Sequence, residues 1–314
     1  MLSLYTDERM LEHVPPPPHP ERPERLQAIL RQLDRSGVRK ACNPGLVREA
    51  KREELLRVHD AAYVDRLALY TAKGGGLIEE DTWVCPKSNL AAHLAAGAAA
   101  EAVSEVLIHE GHRAFCAIRP PGHHARPAEP MGFCFYDNVA VAAAHAVAKF
   151  DVNRILIVDF DVHHGNGTQE IFYADPRVAF FSIHRSPFYP GSGSKNETGT
   201  GAGLGFTKNL PIRFGVSRKE YLAAYRAGLE AFADHIRPEL VLISAGFDAH
   251  AEDPVGSLGL ETEDFDPMTQ LVVEIAETHA QGRIVSLLEG GYNVSRLAGC
   301  VDLHLKTLGA TPET

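Results

Sequence analysis

The chain of 314 residues has 45% hydrophobic content and a formal net charge of −10, so it can bury a large core and is a poor candidate for non-specific nucleic-acid binding. Its five cysteines are scattered and form no CxxC pair, which disfavours a disulfide framework and a thiolate zinc site. The N-terminus lacks the pattern of a secretory signal and no apolar run predicts a membrane span, so we expect a cytoplasmic protein. The length allows one large α/β unit, so we expect one domain over residues 1–314.

In chain order, the first feature is the proline run in Val14–Leu26, which predicts a stiff segment that leads into a helix. Apolar, β-branched runs then predict five strands, at residues 113–118, 154–160, 177–183, 240–246 and 283–291. Helical patterns lie among them, at residues 89–107, 138–150, 218–236 and 266–280. Gly199–Phe206 follows no predicted strand and lacks GK[ST], which favours a surface loop over a phosphate-binding loop. The alternation predicts an α/β fold whose parallel sheet is covered by helices on both faces.

Polar side chains cluster where the predicted strands end. They are His123 and His124 after the first strand, Asp159, Asp161 and His163 at the second, Ser182 and His184 at the third, Asp248 after the fourth and Tyr292 after the fifth. Ligands of open α/β sheets bind outside the carboxyl ends of the strands. The sequence therefore predicts an active site at this edge of the sheet.

Asp161, His163 and Asp248 are candidate metal ligands. Positions i and i+2 of extended backbone point the same way, so Asp161 and His163 can face one ion. Three protein ligands and an open position are typical of a catalytic site, and the donor set is compatible with Zn²⁺, Fe²⁺ or Co²⁺. The alternative is an incidental DxH pattern with Asp248 as a helix cap, and the other strand ends weigh against it.

Two further groups suit hydrolysis. His123 and His124 lie in a Pro/Gly turn, where a histidine tuned to neutral pH can act as a base beside a metal-activated water. Tyr292 follows Gly290 and Gly291, which let the backbone approach a ligand, and its hydroxyl can stabilise an oxyanion. Taken alone, the glycine pair and tyrosine favour an ordinary turn at the end of a strand with a packing tyrosine.

The motifs HPERPERL, RPPGHHA, GFCFYDNVA, ILIVDFDVHHGNGTQEIFY, FFSIHR, SAGFDAHAEDPVGSLGLE and LEGGYN resemble, in order, those of the zinc-dependent histone deacetylase family. That family includes acetoin-utilisation proteins and acetylpolyamine amidohydrolases. The resemblance runs over roughly residues 10–305, and PGHHA with HHGNGTQ is similar to the class II and bacterial branch. It implies an arginase/deacetylase-like fold and a metal-dependent amidohydrolase that removes acetyl or other acyl groups from lysine side chains.

The resemblance also implies a role for each matching residue. The metal ligands are Asp161, His163 and Asp248. The catalytic residues are His123, His124, Tyr292, Asp159 and Asn166. In this set, Asp159 lies behind His123 and Asn166 lies behind His124. The substrate tunnel involves Gly132, Phe133, Tyr189, Val255, Gly290 and Gly291. One K⁺ site involves Asp159, Ser182 and the backbone around Asp161, His163 and Ile183, and a second involves the backbone of Phe172, Asp175 and Val178. Arg22 is expected to line an internal pocket under the metal.

The rim of the tunnel departs from the family pattern. Val84 falls where the class I branch has an aspartate, and Asp81 or Ser88 can serve in its place. At the mouth, Val255 replaces the glutamate of the polyamine-selective branch, which favours acyl-lysine in proteins or peptides over acetylpolyamine. Two other readings are a non-catalytic acyl-lysine binder, disfavoured because Tyr292 and the ligands are all present, and a binuclear ureohydrolase, which would need further aspartates. The sequence leaves the oligomeric state open.

Overall fold

A computed structural model describes residues 1–312 of the chain. Its strands are β1 (Leu2–Tyr5), β2 (Asn43–Pro44), β3 (Gly76–Leu77), β4 (Trp83–Val84), β5 (Arg113–Cys116), β6 (Ile155–Asp159), β7 (Val178–Arg185), β8 (Thr207–Ile212), β9 (Leu240–Ala245) and β10 (Ile284–Leu288). Its α-helices are α1 (Pro23–Ser36), α2 (Val38–Ala41), α3 (Arg52–Leu55), α4 (Ala61–Ala72), α5 (Ser88–Ile108), α6 (Asn138–Phe150), α7 (Asn166–Phe172), α8 (Arg218–Ile236), α9 (Phe265–His279) and α10 (Val294–Thr307).

Eight strands form one parallel sheet in the order β2-β1-β5-β10-β9-β6-β7-β8, and β3 pairs with β4 in a separate antiparallel ribbon. The central strands β6, β9 and β10 are buried along their whole length, as expected when helices cover both faces. Helices α5 and α6 pack against each other. In a second group, α1 packs against α10, α10 against α9, and α9 against α8. The predicted parallel α/β sheet is therefore confirmed.

The predicted elements are largely present, with two differences. All five predicted strands exist, but β10 ends at Leu288 rather than residue 291, because the following backbone leaves the sheet and Gly291 has a φ of +122°. The outer strands β1, β2 and β8 were not predicted, since β1 and β2 are short and β8 mixes polar and apolar residues at the sheet edge. Gly199–Phe206 forms a loop with one short 3₁₀ turn, as expected.

Local signals explain where the helices begin and end. The Asp137 side chain accepts a hydrogen bond from the Ala140 N–H at the start of α6, and Ser217 forms a capping box with Glu220 at the start of α8. Helix α1 begins at a proline, and Gly37, in the left-handed region, ends it. The segment after the proline run is thus helical, as the sequence predicts.

Helix α5 is long and apolar enough to cross a membrane by length and composition, contrary to the expectation that no segment reaches that length. However, 67% of its most apolar window is buried inside the fold, where the helix packs against α6 and β5. Such burial is what a core helix of a globular domain shows.

The parallel arrangement places the chemically capable loops at one edge. Asp159, at the end of β6, is in register with Ser182 of β7 and Ser244 of β9. The loops that follow β5, β6, β9 and β10 therefore leave the sheet on the same side, where they carry the predicted site residues.

Candidate active site

Three side chains converge as a potential metal centre. Asp161 and His163 lie on the loop after β6, and Asp248 lies on the loop after β9. His163 Nδ1 is 2.9 Å from Asp161 Oδ1 and 3.2 Å from Asp248 Oδ2. Their potential ligand atoms lie within 4.8 Å of one another, and all three residues are buried. One ion could therefore contact all three.

The backbone around the two carboxylates fixes their direction. Asp161 accepts hydrogen bonds from the N–H groups of His163 (2.9 Å) and Gly290 (2.8 Å), and Asp248 Oδ1 accepts one from Val162 (2.9 Å). A Cβ atom at Gly290 would lie 2.5 Å from Asp161 Oδ2, so only glycine leaves room for this approach. The three groups are held in place by contacts that do not involve a ligand.

The electrostatics of this group suit a cation. Asp248 Oδ2 is buried and has no hydrogen-bond partner within residues 1–312, and burial, with the charge of Asp161, raises the pKa of Asp248 to about 7. Burial would lower the pKa of His163, but its hydrogen bond with Asp161 and the Asp248 carboxylate 3.2 Å away raise it to about 10. A proton on His163 offsets the two carboxylates in the free protein, and a divalent cation fits the same role with release of that proton. The donor set therefore fits the predicted metal.

The two adjacent histidines have different partners. His123 Nδ1 lies 2.9 Å from Asp159 Oδ2, whereas His124 Nδ1 lies 2.7 Å from Asn166 Oδ1. Burial would lower the pKa of His123, but the charges of Asp159 and Asp161 raise it well above 6.5. Burial and the positive charges of His123 and His163 lower the pKa of His124 well below 6.5. The structure thus gives the pair one ring that holds a proton and one that is free to accept a proton.

Glu289 supports the histidine turn and was not singled out from the sequence. Its buried carboxylate accepts hydrogen bonds from the N–H groups of Gly122 (2.7 Å) and His123 (3.2 Å) and from the Ser244 hydroxyl (3.1 Å). Burial, only partly offset by the charge of His123, raises its pKa to about 7. The signal available in the sequence was its place directly before the two glycines of LEGGYN.

Tyr292 lies beside the same centre, supported from below by an arginine. The Arg25 guanidinium lies 4.9 Å from the Tyr292 ring centroid, and it donates to the carbonyl groups of Gly291 (2.6 Å) and Glu289 (2.5 Å). The prediction that Arg22 lines an internal pocket is wrong, because Arg22 is the exposed cap residue of α1. Arg22 has extended backbone before the first turn of the helix, whereas Arg25 lies within the helix and its side chain is buried.

A narrow cavity of about 220 Å³ leads to His124, His163 and Tyr292. Its lining residues are Asp81, His124, Gly132, Phe133, His163, Phe188, Tyr189, Val255 and Tyr292. The cavity therefore brings together the predicted walls and the predicted gate residue, whereas Gly291 lies behind it against Leu297. Phe188 was missed, although its ring stacks on His163 at 5.3 Å, because the family pattern pointed to the next residue, Tyr189.

The walls of this tunnel are held in defined positions. Phe133 has a φ of +68°, a conformation that costs a non-glycine residue of order 1–3 kcal/mol, and its N–H donates to the Thr82 hydroxyl (3.0 Å). Gly132 is required because a Cβ there would lie 2.5 Å from the His124 ring. The structure thus maintains a strained turn that directs the Phe133 ring toward Tyr292, at 5.8 Å between centroids.

The candidate rim residues Val84, Ser88 and Asp81 differ in how deeply their side chains are buried. Val84 and Ser88 are fully buried, and the Ser88 hydroxyl is engaged with His13 Nδ1 at 2.8 Å. Asp81 lies at the tunnel, where the His19 ring contacts both its carbonyl oxygen and Phe133. Of the two replacements considered for the family aspartate, only Asp81 is in a position to meet a substrate.

The predicted monovalent-cation residues have other partners in the structure. Asp159 Oδ1 accepts from the Asp161 N–H (3.1 Å), and the Ser182 hydroxyl lies 2.9 Å from His184 Nδ1. In the second group, the carbonyl oxygen of Phe172 accepts from the Asp175 N–H (3.0 Å), and that of Asp175 accepts from the Val178 N–H (3.5 Å). Ile183 is buried within β7, and Phe172 and Val178 lie at the end of α7 and the start of β7. Both K⁺ sites stay predictions.

This arrangement of sheet, tunnel and polar centre is that of an arginase/deacetylase-like α/β fold. A solved structure described as the HDA15 HD domain matches it with a TM-score of 0.93 and 37% identity, over 100% of this chain and 90% of that one. The likeness covers the whole sheet and the loops at its carboxyl edge. The fold class predicted from the sequence is therefore confirmed.

The family follows from the sequence match. A model of the histone deacetylase domain matches residues 19–308, so the chain belongs to the histone deacetylase family. It is 42% identical to a probable deacetylase of Archaeoglobus fulgidus, over 93% of this chain and 81% of that protein. It is 40% identical to the polyamine deacetylase HDAC10 of Homo sapiens, over 93% of this chain but only 45% of that protein. The predicted family and its deacetylase-type amidohydrolase activity are thereby confirmed.

Proposed function

We propose that this protein is a zinc-dependent deacylase that hydrolyses the side-chain amide of acyl-lysine in proteins or peptides, and that residues 1–314 form one catalytic domain in the cytoplasm. The observation that carries the proposal is the buried Asp161, His163 and Asp248 group, of which His163 lines the narrow tunnel. A divalent metal held by these three residues would act as a Lewis acid on the amide carbonyl and increase the acidity of water. Fe²⁺ is compatible with the same ligands.

The histidines and the tyrosine divide the remaining chemistry. His124, whose ring is neutral, accepts a proton from the attacking water, and a C–O bond forms at the carbonyl carbon. The Tyr292 hydroxyl donates a hydrogen bond to the carbonyl oxygen as negative charge develops there. The histidine pair then protonates the amine nitrogen as the C–N bond breaks, with Asp159 stabilising the charged form of His123. The products are a carboxylate and a free amine.

The tunnel supports lysine as the amine component. Phe133, Phe188 and Tyr189 provide apolar contact for an alkyl stem, and Val255 adds an apolar side chain. An acetylated polyamine carries an ammonium beyond the amide, and Val255 has no charge to offset its desolvation. The loss of one charge-assisted contact corresponds to about 1.5–3 kcal/mol, so we expect at least about tenfold preference for acyl-lysine.

An acetylpolyamine substrate is the second candidate, favoured by one observation. The Asp81 side chain lines the tunnel and could contact an ammonium that Val255 cannot. A relative with 40% identity is named a polyamine deacetylase, although the chain covers under half of that protein. Asp81 can serve either substrate, since a carboxylate also accepts hydrogen bonds from peptide N–H groups.

The deciding experiment measures kcat/KM for an acetyl-lysine peptide and for acetylspermidine on one preparation, with metal analysis of the same sample. Tyr292→Phe is the control for the chemistry and should lose on the order of 10²–10³ in kcat while it keeps its metal. Higher kcat/KM for acetylspermidine would reject acyl-lysine as the preferred substrate. Wild-type turnover by Tyr292→Phe would reject the proposed role of the tyrosine.

A further inference from the structure

One carboxylate outside the groups described above connects the tunnel mouth to the tyrosine. Asp253 lies on the loop after β9, is 8% exposed, and accepts four backbone hydrogen bonds. Its Oδ1 accepts from Val255 and Gly256, both at 2.9 Å. Its Oδ2 accepts from Tyr292 at 2.6 Å and from Asn293 at 3.2 Å. The two oxygens therefore hold two different segments of the chain.

These two segments are 37 residues apart in sequence between Val255 and Tyr292, and both line the same tunnel. Hydrogen bonds from neutral donors to a carboxylate are roughly twice as strong as those between neutral groups. A buried carboxylate with four N–H donors is therefore a rigid connection. Asp253 contacts the backbone of Val255 and of Tyr292. It therefore fixes the main-chain position from which each of these side chains extends, and it does not itself enter the tunnel.

We propose that Asp253 is a positioning residue that sets the Tyr292 hydroxyl and the Val255 side chain in a fixed relation to one another. The inference rests on the proposed roles of Tyr292 as the oxyanion donor and of Val255 as the gate. The Asp253 side chain thereby holds both Val255, which meets the substrate stem, and Tyr292, which stabilises the developing charge. Displacement of a reacting group by about 1 Å can cost on the order of 10²-fold in rate.

Two contacts beside Asp253 join the same loops without its carboxylate. Asn293 Nδ2 also donates to the Glu252 carbonyl (3.0 Å), and the Glu252 side chain pairs with Arg296 at 2.5 Å. The Glu252 side chain and its Arg296 partner are both about half exposed, so this ion pair contributes little on its own. Glu252→Gln, one residue away on the same loop, is therefore a matched control.

The test is a double-mutant cycle. Asp253→Asn keeps the size of the side chain, but its NH₂ group must face either the N–H groups of Val255 and Gly256 or those of Tyr292 and Asn293, and it cannot accept from them. Asp253→Ala removes all four hydrogen bonds. Each is made alone and with Tyr292→Phe, and kcat, KM, metal content and melting temperature are measured with the acetyl-lysine peptide. Glu252→Gln should stay within about twofold of wild type in kcat, since it removes an exposed ion pair only.

We expect Asp253→Asn to lower kcat by roughly 10- to 100-fold with wild-type metal content, and to lower it by less than about threefold when Tyr292 is already phenylalanine. A change in KM through Val255 should persist in both backgrounds. Equal losses of kcat in the two backgrounds, or wild-type kcat for both Asp253 variants, would overturn the inference and leave the proposed function intact. Wild-type activity of Tyr292→Phe alone would instead overturn the proposed role of Tyr292, and no turnover of the acetyl-lysine peptide by the wild-type protein would overturn the proposed function. If Asp253→Ala does not fold, Asp253→Asn decides.

Discussion

Gly290→Ala is a single methyl group placed against the metal centre. The added Cβ would lie 2.5 Å from Asp161 Oδ2 and 2.8 Å from Asp248 Cγ, and closer still to Asp248 Oδ2. An ordinary contact needs about 3.4 Å or more, so each carboxylate, or the Gly290 backbone, must move by roughly 0.6–1.3 Å. Metal–ligand distances tolerate only about 0.2 Å. We therefore expect metal affinity to fall at least about tenfold and kcat/KM to fall on the order of 10²-fold.

The assay combines metal analysis after dialysis against a weak chelator with kcat/KM on an acetyl-lysine peptide. The matched control is Gly299→Ala, because a Cβ at Gly299, inside α10, meets only Thr262 Cγ2 at 4.0 Å. Alanine is favoured over glycine in a helix by about 0.5–1 kcal/mol, so this control should bind metal normally and be no less stable than wild type. Wild-type metal affinity and turnover in Gly290→Ala would refute the inference that the two carboxylates share one ion.

Three further outcomes are expected. His124→Ala should lower kcat more than His123→Ala, because His124 has the lowered pKa and serves as the base. For the same reason, the acid limb of the wild-type kcat/KM profile should lie below pH 6.5. The opposite ranking of the two variants, or an acid limb above about pH 7, would contradict these roles of the two histidines. Val255→Glu should raise kcat/KM for acetylspermidine relative to the peptide by about tenfold, and an unchanged ratio would argue against Val255 as the gate. Glu21→Gln should lower the free energy of unfolding by about 3–5 kcal/mol in chemical denaturation, because it leaves the buried Arg119 without its bidentate partner. Despite its burial, the pKa of Glu21 is held well below 4.5 by Arg119, so its contribution should be present above pH 4.5 and be lost as the pH falls below it; equal stability of variant and wild type would contradict this assignment.

The sequence by itself determined the architecture and the position of the site. The strands β6, β9 and β10 are fully apolar runs, and such runs can be buried only in a sheet covered on both faces. Polar residues directly after them must then meet at one edge, as Asp161, His163 and Asp248 do. The edge strand β8 was missed because it is only partly buried and so lacks that apolar signal.

Only the tertiary structure decided which side chains meet across long distances in the chain. The sequence pointed to Arg22, but Arg22 precedes α1 with extended backbone, and it is Arg25, inside the helix, that packs against the Glu289–Gly291 backbone. Phe188 lines the tunnel beside Tyr189 because the turn directs both rings inward. Asp253 meets Tyr292 across 39 positions. Local patterns encode burial and backbone conformation, whereas side-chain direction at the ends of loops depends on packing between segments that are far apart in sequence.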